Sequence, residues 1–379
     1  MEWFEELRTE FPAFRNQIYM DVASSNCTPT SVLETITDYW KKMSMGEGHS
    51  TDTALRVLRT RERLARLVNC KPNEIAFVRS TADGINIVAQ GIPWQAGDTV
   101  VINDQDHSSN VIPWLNLEKR GVRVKVARSE NYRVAIDSLV REMDTRTRAV
   151  AISFVQHRSG FRADLATLGR ICRERGIWLV VDGIQGIGSM RFDAQAMGVH
   201  AMSAGGYKHV LGVAGSGFLY CAGELLEQMK PAYAGPSAAV KINKENGWHL
   251  EVPDLRDARR LEGGSLNTAG ILAFEPALNL IERCGMGNIE SRILSLASRL
   301  ASGLSASGYT LVSPMAPGEQ SGLVSVSVPS AQDFDEYLKA HRIMGSIKEA
   351  TILRLSVHAY NLEWEVDRVV EIAAVYKNR

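Results

Sequence analysis

An aspartate and a lysine carry the strongest chemical signal in this sequence. Asp182 ends the run IWLVVD (177–182), whose apolar character marks a buried strand, so its carboxylate emerges at the strand's carboxyl edge. A carboxylate there needs a cation or hydrogen-bond donors, unless it merely caps the following turn. Lys208 sits in SAGGYKHVLG, behind small residues, in a loop rather than on a solvated helix face. Alone it reads as one more surface lysine. Together, one strand apart, the two match what pyridoxal phosphate requires. An aldehyde condenses with a lysine amine, and an aspartate keeps the pyridine nitrogen protonated so that the ring accepts electrons.

The elements that must position this pair show as alternating patterns. From Glu74 to Tyr220 the runs IAFV, TVVIN, VRVKVA, AVAISFV, IWLVVD and GFLYC read as short strands. Helical segments such as TADGINIVAQGI, SSNVIPWLNLEKRG and DLATLGRICRERG separate them. This alternation predicts an α/β fold, a mainly parallel sheet sandwiched by helices, with ligands at the carboxyl ends of the strands. TSVLETITDYWKKM and TALRVLRTRERLARLV precede it as two amphipathic helices. Later, a helical stretch over 271–306 leads to YTLVSP, GLVSVSVPS, TILRLSVHAY and a terminal helix, which predicts a smaller α+β C-terminal domain. The expected division is a large domain over 14–263 and a small one over 264–379, joined by 1–13.

Composition excludes several classes. With 45% hydrophobic and 23% charged residues, the 379-residue chain is an ordinary globular protein rather than a disordered one. Lys plus Arg equals Asp plus Glu at 43 each, so no basic excess invites nucleic acid or an anionic membrane. Cys27, Cys70, Cys172, Cys221 and Cys284 are odd in number and form no CxxC pair, which predicts a reducing, cytoplasmic setting without disulfides or structural zinc. The opening MEWFEELRTEF lacks the pattern of a secretory leader, and no apolar run is long enough for a membrane span. His49, His200, His209, His249, His341 and His358 show no metal-ligand spacing, so no metal is expected. No GxGxxG follows the first strand, which sets aside a nicotinamide dehydrogenase.

From YMDVASSNCTP (19–29) to LRLSVHAYN (353–361) the chain resembles the class V aminotransferase family of fold type I pyridoxal-phosphate enzymes. That family includes cysteine desulfurases, selenocysteine lyases and isopenicillin N epimerase. The most specific portion is VVDGIQGIG, SAGGYKHVLG and GSGFLY in succession. The resemblance implies pyridoxal 5'-phosphate as cofactor and a homodimer with shared active sites. Lys208 is then the Schiff-base lysine, Asp182 the pyridinium partner, Gln185 the side chain that hydrogen-bonds the phenolic oxygen, and His107 the imidazole stacked on the ring, a third catalytic group able to move protons there. RSTADGIN would cradle the phosphate through Thr81, Ala82 and Asp83, and a helix N-terminus suits an anion. Tyr207 and Ser265 would add phosphate contacts, Ser265 from across the dimer interface. Arg354 would clamp the substrate α-carboxylate. Plainer readings stand beside these: a surface His107, an exposed Arg354 on an alternating strand, a turn-forming Ser265.

Two features depart from the family. VQHRSGFR puts His157 and Arg158 where relatives carry a smaller polar or aromatic pair. Over the cofactor they would add a titratable imidazole and a cation, favouring a substrate with a second anionic group; turned to solvent, Arg158 would add nothing. Second, no cysteine follows Cys284, so the mobile C-terminal thiol of a persulfide relay is missing. The expected function is a transferase or lyase acting on an amino acid through an external aldimine and a carbanion, by transamination or β/γ-elimination. An epimerase and a non-catalytic binding protein are the alternatives, and a persulfide-relay cysteine desulfurase is disfavoured.

Overall fold

The computed structural model describes residues 2–48, 50–230, 235–237, 239–245 and 247–377. The chain opens with helix α1 (Trp3–Thr9) and a short strand β1 (Ile18–Tyr19), then forms α2 (Thr30–Ser44) and α3 (Thr51–Leu67). Both long helices turn apolar residues inward at helical spacing, Val32 and Tyr39 on α2, Leu64 and Ala65 on α3. Next come β2 (Ile75–Val78), α4 (Thr81–Gly91), β3 (Thr99–Asn103), β4 (Arg123–Ala127), β5 (Thr147–Ser153), β6 (Trp178–Asp182), β7 (Ala201–Gly205) and β8 (Gly217–Cys221).

These strands form one seven-stranded sheet in the order β2-β8-β7-β6-β5-β3-β4. Pairs from β4 through β7 are parallel, while β8 runs antiparallel to both neighbours. Strands β2, β3, β7 and β8 are buried at every residue. Helices cover both faces, which is why the strands read as near-continuous apolar runs. Leu165, Leu168 and Cys172 pack on one face, Ile85, Val88 and Trp114 on the other.

Two helical expectations are refined. SSNVIPWLNLEKRG is not one helix but three short turns, Ser108–Asn110, Ile112–Leu115 and Asn116–Arg120. The His107 ring captures the Ser109 N–H and the Asn110 amide turns to Asp106, local bonds that compete with a regular helix. The stretch over 271–306 breaks into segments Thr268–Leu272, Phe274–Cys284 and Met286–Ala306. Gly285 takes φ +77°, which glycine adopts at little cost, and swings the chain between the last two.

A hairpin of β9 (Lys241–Asn243) and β10 (His249–Glu251) exposes Ile242, Trp248 and Leu250. The remaining strands are β11 (Thr310–Leu311), β12 (Leu323–Ser327), β13 (Ile343–Met344), β14 (Ser346–Glu349) and β15 (Ile352–Ser356). Four of them make a small antiparallel sheet, β11-β12-β15-β14. Strand β13 pairs instead with β1, and a bridge from Asp21 to Ser356 continues that join. The N-terminal segment is thereby stitched to the C-terminal region. Among the described residues no helix is long and apolar enough to cross a membrane.

Candidate active site

The cleft opens at the carboxyl edge of the large sheet. Asp182 is the last residue of β6; Tyr207 and Lys208 follow β7, Asp106 and His107 follow β3, and Gln156 and His157 follow β5. Asn26 fixes the lysine loop: its side-chain amide donates to the carbonyls of Lys208 at 3.2 Å and Gly212 at 2.9 Å. Its own N–H donates to the Tyr207 carbonyl at 2.9 Å.

Asp182 is 2% exposed, and one carboxylate oxygen accepts the Ile184 N–H at 3.0 Å. Burial raises its pKa, and the neighbouring Asp106 adds to the rise. The opposite shift falls on Lys208, where burial and then Arg354 disfavour the ammonium while Asp182 and Asp21 oppose them. The pair is thus an acid and a base whose charges are only partly compensated.

His107 stands over the cleft with Nδ1 receiving the Ser109 N–H at 3.2 Å. That bond leaves the ring proton on Nε2. Burial, then Lys208, Lys348 and Arg354, lowers its pKa. The ring meets His157 edge-on, centroids 5.0 Å apart and planes at 88°. Burial, followed by His107 and Arg354, drives His157 down to about 3. So His157 comes to the site as a neutral ring, not as the titratable group expected from sequence. Arg158 Nε lies 3.0 Å from a Glu349 oxygen, so its charge is compensated.

Arg354, on β15, is 1% exposed. Its Nη1 donates to the His157 carbonyl at 2.6 Å and Nη2 to the Ser24 hydroxyl at 2.9 Å, with Asp21 at 3.4 Å. Its Nε has no hydrogen-bond partner among the described residues. The exposed alternative is excluded, and a buried guanidinium with an open N–H is suited to a carboxylate.

At the start of α4 the Ser80 hydroxyl accepts the Asp83 N–H, and the N–H groups of Thr81 and Ala82 belong to the unpaired first turn. The Thr81 hydroxyl accepts the Gly205 N–H at 3.0 Å, which ties this turn to β7. The Asp83 carboxylate is turned onto Arg79 at 2.7 Å. Tyr207 places its ring 5.6 Å from the Lys208 amine. Gln185 uses one amide N–H on the Ala23 carbonyl at 2.9 Å, and its oxygen lies 3.3 Å from His209 Nε2. Ser265 is exposed and lines a separate cavity of about 390 Å³ with Val78, Arg79 and Asp83.

Sequence reasoning overlooked several residues here. Asp106 accepts from Asn103 and Asn110 at 2.9 Å, from the Ser153 N–H at 3.0 Å and from Gln156 at 2.9 Å. It thereby ties the His107 turn to β5. Asp21, Ser24 and Asn26 lay inside a string quoted only for its likeness to a family, and nothing in that string told which of its residues turn inward. Lys348 carried no signal beyond being a lysine near the chain's end. Of the histidines, His209 and His358 stack 5.9 Å apart in the interior, and His49 lies outside the described residues. Among the described residues no group of three His, Cys, Asp or Glu side chains could hold a metal ion.

These residues fit pyridoxal 5'-phosphate. A buried carboxylate at Asp182 is costly without a cation, and a protonated pyridine nitrogen supplies one. A lysine pushed toward its neutral form can condense with an aldehyde. The first turn of α4 offers N–H groups to a phosphate.

Comparison with known proteins extends this geometry. A probable cysteine desulfurase of Methanothermobacter thermautotrophicus is 32% identical over 302 residues, 78% of this chain and 74% of that protein. A cysteine desulfurase of Cronobacter sakazakii is 27% identical, covering 97% of this chain and 96% of its own length. Among solved structures, a lysine variant of C-DES with glycine covalently linked to the PLP cofactor superposes with a TM-score of 0.87. It is 23% identical and covers 97% of this chain and 98% of its own, so it speaks to the fold.

The relatives correct one expectation. The missing thiol beyond Cys284 set a persulfide-relay desulfurase aside in favour of transamination or elimination, yet cysteine desulfurases align across nearly the whole chain. One absent thiol bears on how sulfur departs, whereas the whole-chain match reflects the framework that holds the amino acid. The aminotransferase class-V family model matches residues 18–369, leaving only short ends uncovered. The chain therefore belongs to that family of enzymes dependent on pyridoxal 5'-phosphate.

Proposed function

We propose that the protein is a cysteine desulfurase, taking the sulfur atom from L-cysteine, passing it to an acceptor thiol and leaving alanine. The observation that carries this reading is the alignment of cysteine desulfurases over 96–97% of their own and this chain's length. The bound cofactor supplies an aldehyde that captures the substrate amine and a ring that accepts an electron pair. Arg354 receives the α-carboxylate on its open N–H and orients the substrate. Lys208, held near its neutral form, takes the proton from Cα. Asp182 would keep the ring nitrogen protonated, and His107 would cover the outer face of the ring and exclude water. Thr81 and Ala82 would receive the phosphate on their free N–H groups, with Tyr207 as a further donor, and Gln185 has a second amide N–H that would serve the phenolic oxygen.

A cytoplasmic homodimer is part of the same proposal. Leu33 and Trp40 on α2 are each 58% exposed and Trp248 on the hairpin is 77% exposed, apolar surface of the kind a second copy covers. Free cysteines suit a reducing compartment. Ser265 would then reach the partner's phosphate.

The test is to supply purified, cofactor-loaded protein with L-cysteine and dithiothreitol and measure alanine and sulfide. Both should appear in equal amounts. Alanine without sulfide, or neither product, removes the assignment. Sedimentation at assay concentration should give a dimer, and a fully active monomer removes that part.

A further inference from the structure

The small sheet brings a second cation to the cleft. Strands β14 and β15 pair Ser346 with Arg354 and Ile347 with Leu353, then shift so that Glu349 faces Ile352. Lys348 is the extra residue of that bulge. Bulges re-aim side chains and recur beside active sites. Ile352 shares the Arg354 face of β15, since residues two apart lie on one side. The bulge therefore turns Lys348 and Glu349 together toward the cleft. Glu349 reaches Arg158, while the charged groups acting on Lys348 are Arg354, Asp21 and Lys208.

No ion pair holds the Lys348 amine among the described residues, and its environment contains two further cations. Around it, three buried polar atoms lack partners among the described residues: Arg354 Nε, Ser346 Oγ and His157 Nδ1. Arg354 and Ser346 are cross-strand partners, and Arg354 also binds the His157 carbonyl. One Arg354 N–H accounts for an α-carboxylate. The hydroxyl, the imidazole nitrogen and the lone ammonium remain for something further along the substrate.

We propose that Lys348 is a specificity-determining residue that pairs with a negatively charged terminus on the substrate side chain. This rests on the reading that a sulfur amino acid occupies the cleft: the terminus is the thiolate of cysteine, and a sulfinate or carboxylate in its place is held the same way. The second cation anticipated at Arg158 is thus supplied by Lys348, because Glu349 occupies Arg158.

The test uses ligands without sulfur, so that it does not depend on desulfuration. Calorimetric titration of the holoenzyme should show L-aspartate bound more tightly than L-asparagine by roughly 10-fold or more, as one charge-assisted hydrogen bond gives. Lys348→Met should bring that ratio close to one with asparagine binding unchanged, and Lys348→Arg should restore it. Arg158→Met should leave the preference in place. Cysteine sulfinate, titrated in parallel, distinguishes sulfur oxyanions from carboxylates. Equal affinities in the wild-type protein, survival of the preference in Lys348→Met, or its loss in Arg158→Met alone would overturn the proposal. Absence of desulfuration with this preference intact would instead sink the functional assignment and spare the role of Lys348.

Discussion

The two ends of the cleft are built differently. The cofactor end, with Asp182, Lys208 and His107, comes from the carboxyl ends of β6, β7 and β3 at one edge of one sheet. Asp182 ends a buried strand and the other two follow one, so the sheet sets most of their spacing, with Asn26 holding the lysine loop. The substrate end gathers Arg354 and Lys348 from the small sheet, Asp21 and Ser24 from the N-terminal segment, and the loop after β5. There the loop is captured in series: the carbonyls of His157, Arg158 and Gly160 accept from Arg354, Ser325 and Ser321. On the proposed roles, reaction chemistry is written within one sheet, while recognition depends on contacts between residues hundreds of positions apart.

That contrast can be broken at either end. The largest effect belongs to Lys208→Ala, which removes the proton-transferring group and should lower sulfide release from cysteine by roughly 10²–10⁴-fold. Wild-type turnover in that variant would dissolve the distinction. Asp182→Ala should come next, with turnover down roughly 10²-fold or more, as loss of a buried charge partner costs. Its thermal midpoint without cofactor should hold or rise, because an uncompensated buried carboxylate opposes folding. A fall in midpoint with turnover intact would make Asp182 structural.

At the recognition end, Arg354→Lys keeps the charge but loses the planar fork, so KM for cysteine should rise roughly 10-fold with a smaller change in kcat. An unchanged KM would move the carboxylate elsewhere. A smaller effect follows from pH. Burial and then Arg354 lower the Lys348 pKa to about 8, against Asp21 and with Lys208. His107 and His157 also face it, both with pKa values lowered. The ammonium is present below that value and lost above it. The aspartate-over-asparagine preference should therefore be full at pH 7 and weaken by pH 9. A preference that grows over this range would exclude the lysine. The smallest change is Ser325→Ala, which frees the Arg158 carbonyl and should reduce stability to urea by about 1 kcal/mol.

The same contrast explains what could be read in advance. Most strands of the large sheet, with Asp182 and Lys208, were legible because apolar runs and small-residue loops are local signals; β7 was not, because the small residues of AMSAG read as part of the turn that follows it. The family likeness supplied Arg354 but not its setting, since Asp21 lies 333 residues away in sequence. Arg158 looked like a free cation because its partner, Glu349, belongs to a strand whose bulge no pattern announces. The same blindness hid Lys348. At function level, a missing cysteine outweighed a whole-chain likeness, and the relatives reversed that weighting.

The stitched N-terminal segment has a consequence for how the protein is made. Ile18, Tyr19 and Asp21 are synthesised well before their partners Ile343, Met344 and Ser356. Asn26, which clasps the Lys208 loop, lies in this segment. Contacts so distant in sequence carry a large loop-closure cost, so the large sheet is expected to form before them. A nascent chain arrested before residue 343 would carry its lysine on an unclasped loop. Docking of the small sheet on the N-terminal segment, more than formation of the central sheet, would then be the event that readies the protein to take up its cofactor.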